Sequence, residues 1–375
     1  MSHGNRFLFQ NGVVSPAAET PPVAAFLEAH SGAYTTTRTH NNGSQLLFWE
    51  RHVQRLSNSI QLLLKSNPNL LFDKHRIHNA QFSELSNRAI MWDSVVRCLL
   101  HNSMRKVVPI VLKERKFGEE LAIAMLVSGK SENVDSLEDG FDEDRVYEVL
   151  DVYMHVGGYV PGVRGNGARL AVVGRGRNFA NAKYSDWVRL RKPLEKLRPP
   201  LVTELLLSND GDQILEGCLT NFFVVCLKEN DGDTNTAEQN GLGTLRSIEV
   251  QTAPLSNGVL PGVIRQVIKD ICLKIGIPFR EVAPSWSQRD LWTEAFITNS
   301  LRLIQHVETI QVPDTWNSVE SKTLEEINWV EKHFENAPGR ITLIFQKEIL
   351  GRASLETFPV ASFEDGGLQS NLSSL

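Results

Sequence analysis

The chain has 375 residues, with 39 Lys and Arg against 44 Asp and Glu, a formal net charge of −5 that is too mild for a groove built around nucleic-acid phosphates. At roughly 100 to 200 residues per domain this length predicts two domains, and 41% apolar residues are enough for two cores, which excludes disorder throughout. Cys98, Cys218, Cys226 and Cys272 form no CxxC pair and no zinc-spaced cluster, so no metal is expected. The opening MSHGNRFLFQNGV lacks a signal-peptide core, and no apolar run approaches the ~20 residues that span a bilayer. The expectation is a reduced, soluble, cytoplasmic protein without membrane or nucleic-acid partners. The final Ser373-Ser374-Leu375 loosely resembles a peroxisomal tripeptide but lacks its basic middle residue.

In chain order, Phe7 to Val13 reads as a short strand, Gly32 to Thr39 as another, and Gln45 to Phe48 as its hairpin partner across His40-Asn41-Asn42-Gly43. Trp49 to Lys65 carries Val53, Leu56, Ile60, Leu63 and Leu64 at helical spacing, with His52, Arg55, Leu56 and Ser59 sharing one face. Val107 to Leu112 and Glu120 to Ser128 read as two further strands. Seven acids and one base between 131 and 145 form a self-repelling insert, read as a solvated loop. The glycine-rich passage HVGGYVPGVRGNGARL at 155–170 then breaks regular structure. These breaks predict a small α+β domain at 1–158, a linker at 159–166, a larger domain at 167–350 and a tail at 351–375. In the larger domain Leu170 to Val173, Leu201 to Leu207, Gln213 to Leu215 and Asn221 to Leu227 read as strands, and 228–243 as a loop. Pro261 to Gly276 reads as an amphipathic helix, and Phe279 to Val282 and Glu294 to Thr298 as the next strands.

Three separated pieces carry chemistry, each weak alone. Lys183 in NFANAKYSDW reads by itself as a surface cation. Glu216 in EGCLTNFFVV reads by itself as a turn acid, with Asn221 five residues on. LPGVIRQ at 260–266 opens a helix whose Val263 and Ile264 N–H groups suit an anion, and Arg55 can add a bidentate cation. Gly162 to Gly167 and Gly174-Arg175-Gly176 fit neither a dinucleotide fingerprint nor a P-loop and read as turns. His155 and His306 have no partners at metal spacing and read as structural.

Taken in order, GAYTTTRT (32–39), HVQRL (52–56), AKYSDW (182–187), EGCLTNFF (216–223), LPGVIRQ (260–266) and EAFITNS (294–300) resemble the fold-type IV, or class IV, aminotransferases. That family uses pyridoxal 5′-phosphate and includes branched-chain and D-amino-acid aminotransferases and aminodeoxychorismate lyase. The resemblance implies a two-domain α/β (α+β) fold, with the small α+β domain, a larger β-barrel-like α/β domain and the cofactor in the cleft between them. It makes Lys183 the catalytic Schiff-base lysine and Glu216 the pyridine-nitrogen partner. Arg55, the amides of Val263 and Ile264, and Ser300 would hold the phosphate, with Asn299 and Asn221 beside the cofactor. Trp187 falls close to the family's aromatic residue after the lysine. It also implies a homodimer.

Strand alternation puts Tyr34, Thr36 and Arg38 on one side and Thr35, Thr37 and Thr39 on the other. The resemblance turns the first set toward the substrate, with Arg38 placed to pair a carboxylate. Three readings of the activity follow: an aminotransferase for a small amino acid and keto acid pair, a lyase of the aminodeoxychorismate type releasing pyruvate, and a non-catalytic homologue serving as an interaction module.

Overall fold

A computed structural model describes residues 6–15, 20–72, 89–130, 143–162, 167–227, 248–317 and 319–363. The chain divides into two compact units. Met1–Pro161, Ala182–Arg189 and Ala353–Leu375 form the first, and Gly162–Asn181 with Leu190–Arg352 the second. The sequence places one crossing near residue 160; in the structure the chain crosses repeatedly, and Lys183 travels with the first unit. The greater part of the acidic insert (131–142), the linker residues 163–166, the loop at 228–247 and the C-terminal residues 364–375 lie outside the described residues.

The first unit holds β1 (Arg6–Gln10), β2 (Val13–Val14), α1 (Val23–Ala29), β3 (Ala33–His40), β4 (Gln45–Leu47), α2 (Trp49–Ser66), α3 (Ala89–Glu114), β5 (Glu120–Gly129), α4 (Glu143–Glu148), β6 (Leu150–Tyr159) and α5, which starts at Trp187 (Trp187–Leu190). A seven-stranded sheet results from the order β16-β4-β3-β5-β6-β1-β2, where β16 is Thr357–Pro359. Residues 351–363 are therefore no tail: after the helix that ends at Leu355, β16 pairs with β4. Trp49, Phe358 and Phe363 pack ring against ring there, burying the apolar side chains that hold the segment down.

The register explains the two faces of this sheet. Thr35 lies opposite Met125, which lies opposite Met154, and Met125 and Met154 belong to the core with the apolar stripe of α2 and with α3. The other face carries the rows Tyr34–Leu126–Tyr153, Thr36–Ala124–His155 and Arg38–Ala122–Gly157. Phe26 and Leu27 of α1 and Val188 cover the first of these rows. Val107 to Leu112, expected as a strand, is helix. Its β-branched run misleads in a short window, whereas Val96, Leu100, Met104, Val107 and Val111 together keep helical spacing and are all buried in the core.

The second unit holds β7 (Ala168–Gly174), β8 (Glu204–Ser208), β9 (Ile214–Gly217), β10 (Asn221–Leu227), β11 (Ile248–Thr252), α6 (Val263–Ile275), β12 (Phe279–Glu281), β13 (Trp292–Asn299), β14 (Leu303–Pro313), β15 (Trp329–His333) and α7 (Arg340–Leu355). Its nine strands run β12-β11-β10-β13-β14-β7-β8-β9, with β15 added on β14. Because β9 also pairs with β10, the six strands β10, β13, β14, β7, β8 and β9 close on themselves. Closure removes the open edges of these six and fills the ring with Leu170, Val172, Leu206, Phe222, Val224, Ile297 and Ile310. Strand β8 begins at Glu204, later than Leu201, because Pro199 and Pro200 precede it. Among the described residues no helix is long and apolar enough to cross a membrane, and no three His, Cys, Asp or Glu are grouped to hold a metal.

Candidate active site

In the first unit, the strand β3 and one face of α2 build a cationic cluster around the segment that carries Lys183. The segment is bound at both sides of the lysine: Lys183 N–H donates to Ser59 Oγ (3.1 Å), and Tyr34 N–H donates to the Lys183 carbonyl (2.9 Å). Ser185 continues the clamp, donating its N–H to the Gly32 carbonyl and its hydroxyl to the His30 carbonyl. The half-buried Lys183 directs its Nζ over the Tyr34 ring, 4.5 Å from the centroid. Trp187 is buried as the first residue of α5.

Arg55 lies one turn before Ser59 on α2, buried, and its Nη2 donates to Thr35 Oγ1 at 2.6 Å. The same hydroxyl meets His52 Nδ1 at 2.9 Å. Burial holds the His52 imidazole well below its ordinary pKa, and the cations of Arg55 and Lys183 push in the same direction. His52 is thus a neutral ring between two cations, and Thr35 links it to Arg55. The sequence places His52, Arg55 and Ser59 on one face; what it missed was Thr35, whose signal lay in the strand alternation that sets it toward α2.

Of the residues expected at the substrate, Tyr34 and Arg38 are buried and Thr36 is half-buried, all on the face away from the core. Arg38 donates to the Thr39 carbonyl and sits over the Tyr159 ring at 5.8 Å. Burial lowers its pKa from the ordinary value, while Tyr159 and Glu120 act to raise it.

In the second unit, Glu216 is the last residue but one of β9, with a side chain 2% exposed. Its Oε1 pairs with Arg177 Nε at 2.8 Å, and the arginine side chain is 6% exposed. Its Oε2 accepts the Leu260 N–H (3.0 Å) and faces Asn221 Nδ2 (3.4 Å). Three donors, one of them a buried cation, therefore keep this carboxylate in place. Asn221 also donates to the Leu260 carbonyl, tying the seam of the barrel to the turn before α6. Arg177 was missed: its signal was a cation directly after Gly174-Arg175-Gly176, which reads as a turn.

The start of α6 is built for close approach. Gly262 caps it with no side-chain bond, and a Cβ there would sit 2.0 Å from Asn221 Oδ1. The first bond of the helix ladder runs from Gln266 N–H to the Gly262 carbonyl, so the N–H groups of Val263 and Ile264 precede it. Beyond β13, Asn299 Oδ1 accepts the N–H groups of Leu301 and Arg302, which folds the turn bearing Ser300. The structure thus gathers Glu216, Asn221, Val263 and Ile264 about the Leu260–Gly262 turn, and gathers Lys183, Arg55 and Tyr34 in the other unit.

Residues 32–310 match the model of the family described as amino-transferase class IV. Among solved structures, the chain resembles a branched-chain aminotransferase from the archaeon Thermoproteus uzoniensis solved with norvaline (18% identity, TM-score 0.56, covering 94% of this chain and 99% of that one). It also resembles the PLP form of one from Thermobaculum terrenum (14%, TM-score 0.58, 96% and 99%) and the Escherichia coli enzyme (16%, TM-score 0.56, 96% and 99%). No curated protein matches it. With the family model spanning most of the chain and the fold shared along nearly its whole length, the protein belongs to the class IV aminotransferases, a family of pyridoxal 5′-phosphate enzymes.

Proposed function

We propose that the protein is an aminotransferase for a small amino acid and keto acid pair, acting through a covalent bond between Lys183 and pyridoxal 5′-phosphate. The observation that carries this reading is the chemistry of the donor set. An amine clamped at its backbone, a buried guanidinium, a helix start with unspent N–H groups and a carboxylate fixed by a cation match the aldehyde, phosphate and pyridine nitrogen of the cofactor. When bound, that group supplies an aldehyde to capture the amino group and a ring that withdraws electrons from Cα.

The residues then divide the work. Lys183 would hold the cofactor through its amine and, with the substrate amine in its place, would carry the proton of substrate Cα. Glu216 would pair with the pyridine nitrogen, and Arg177 holds the Glu216 side chain in place. Arg55, Val263, Ile264 and Ser300 would take the phosphate, with Asn299 beside it, and Asn221 and Trp187 would complete the cofactor site. Arg38 pairs the substrate carboxylate. Ala122, Ala124 and Gly157 are the small residues beside Thr36 and Arg38 on this face, which supports a small substrate. The working form is a homodimer. The intact amine, carboxylate and guanidinium speak against a non-catalytic role.

Half-reaction spectra test this. An aminotransferase should convert the cofactor to its amine form when given an amino donor alone and restore it when a keto acid follows. No spectral change with any L- or D-amino acid, together with pyruvate release from aminodeoxychorismate, would replace transamination with the lyase reading.

A further inference from the structure

A second buried carboxylate stands behind Glu216. Glu204, the first residue of β8, is 1% exposed. It lies against the turn that joins β9 to β10, where the Leu219 N–H favours its charged form. Its Cγ lies 3.2 Å and Thr220 Oγ1 2.2 Å from where a Gly217 Cβ would stand, so a side chain there would displace the threonine hydroxyl and press on Glu204. Glu204 Oε2 accepts no hydrogen bond among the described residues, nor does the buried Thr220 Oγ1. Arg302 Nη2 lies 3.9 Å from Oε2. Arg302 belongs to the turn after β13 that Asn299 folds, and Leu303 beyond it holds the left-handed conformation at φ 65°. Glu204 is therefore flanked by the two turns on which the proposed cofactor residues stand: Glu216 and Asn221 on one, Asn299 and Ser300 on the other.

We propose that Glu204 is a positioning residue for cofactor binding, joining the 216–221 turn to the 299–302 turn through Leu219 and Arg302. The inference rests on the functional reading above for the word cofactor, and on geometry alone for the coupling.

The physical state of the carboxyl shapes the test. Burial pushes Glu204 up to about 7, against the pull of Arg302, the Leu205 and Leu219 N–H groups and Arg198. The groups facing it are Arg302, Arg198 and the thiol of Cys218, itself pushed to about 12 by burial and by Glu204. Arg191, Glu195 and Arg177 act in turn on Cys218. A carboxyl with a raised folded pKa contributes stability that is complete below its ordinary 4.5 and is lost as pH rises through about 7. The charge that pairs with Arg302 thus forms at the expense of stability, so the coupling and the stability move in opposite directions with pH.

The experiment measures pyridoxal 5′-phosphate affinity for the full chain at pH 6 and pH 8, in wild type, Glu204→Gln, Arg302→Gln and the double variant. Glu204→Gln keeps the shape and an acceptor for Leu219. Wild type should match both single variants near pH 6 and bind about fivefold more tightly at pH 8, the scale of one partly exposed charge pair, and the double variant should be no weaker than either single. Glu204→Gln should also melt higher than wild type at pH 8 in the cofactor-free chain, an effect that a purely structural role would reverse. A ratio of affinities that stays constant with pH, or additive losses in the double variant, would overturn the proposal. Should wild type bind no pyridoxal 5′-phosphate, the functional reading fails, and hydrogen exchange on the cofactor-free chain decides the coupling by itself. Faster exchange at pH 8 in both turns of Glu204→Gln supports it; faster exchange in the 217–221 turn alone contradicts it.

Discussion

Glu216 and Asn221 form the register pair through which β9 meets β10, so the residues proposed to hold the pyridine ring are also the seam that closes the six-strand ring. On that proposal function and closure share one spot, with Arg177 as its buried partner. Removing one member of such a buried pair leaves an uncompensated charge at a cost of about 3 to 5 kcal/mol. Arg177→Ala should therefore destabilise the second unit and lower cofactor affinity together, by denaturant unfolding and cofactor titration. Glu216→Gln should keep covalent cofactor binding yet lose most turnover, since it preserves shape and removes charge. Wild-type rates in Glu216→Gln would remove the carboxylate from the chemistry.

Gly262 gives a sharper steric test. An added Cβ would come within 2.0 Å of Asn221 Oδ1, so Gly262→Ala must push the asparagine away from Leu260 and Glu216. Overpacking of this kind costs about 1 to 3 kcal/mol. The expected outcome is a lowered melting temperature and cofactor affinity reduced about tenfold or more. A variant with unchanged affinity would show that the start of α6 does not take the phosphate.

Arg55→Ala should weaken pyridoxal 5′-phosphate binding by roughly 1.5 to 3 kcal/mol, the scale of a charge-assisted bond. Thr35→Val removes the hydroxyl that meets both Arg55 and His52 and should give a smaller loss in the same direction, since the guanidinium stays but loses its orienting partner. Equilibrium titration of the cofactor-free chain measures both.

His52 sets a pH limit. Its folded pKa lies well below its ordinary 6.5, so its contribution to stability is complete above that value and is lost as pH falls below it toward the folded value. Unfolding curves from pH 8 to pH 5 should show wild type losing stability on the acid side, and His52→Gln should flatten that loss. An equal acid slope in both would mean that other groups carry it.

Much of this was legible in the sequence because it depends on local pattern. The helix at 49–66 announces itself through Val53, Leu56, Ile60 and Leu63, and the β9–β10 hairpin through short apolar runs about a turn. The roles proposed for Lys183 and Glu216 rest on the joint order of six blocks, for neither residue is distinctive alone. What stayed hidden depends on contacts distant along the chain. Nothing near Arg177 announces a bond to a residue 39 positions later, and nothing near Glu204 announces Arg302. The helix over Val107 to Leu112 was misread because a short β-branched run has no period of its own, and the β16 segment because pairing with β4 spans some 310 residues.

The central claim is that Lys183, clamped between Ser59 and Tyr34, is the amine that bonds the cofactor. Incubation of the full chain with pyridoxal 5′-phosphate, borohydride reduction and peptide mapping tests it most directly. The account predicts a single stable label on Lys183, absent in Lys183→Arg. A label on any other lysine, or no label at all, would contradict it.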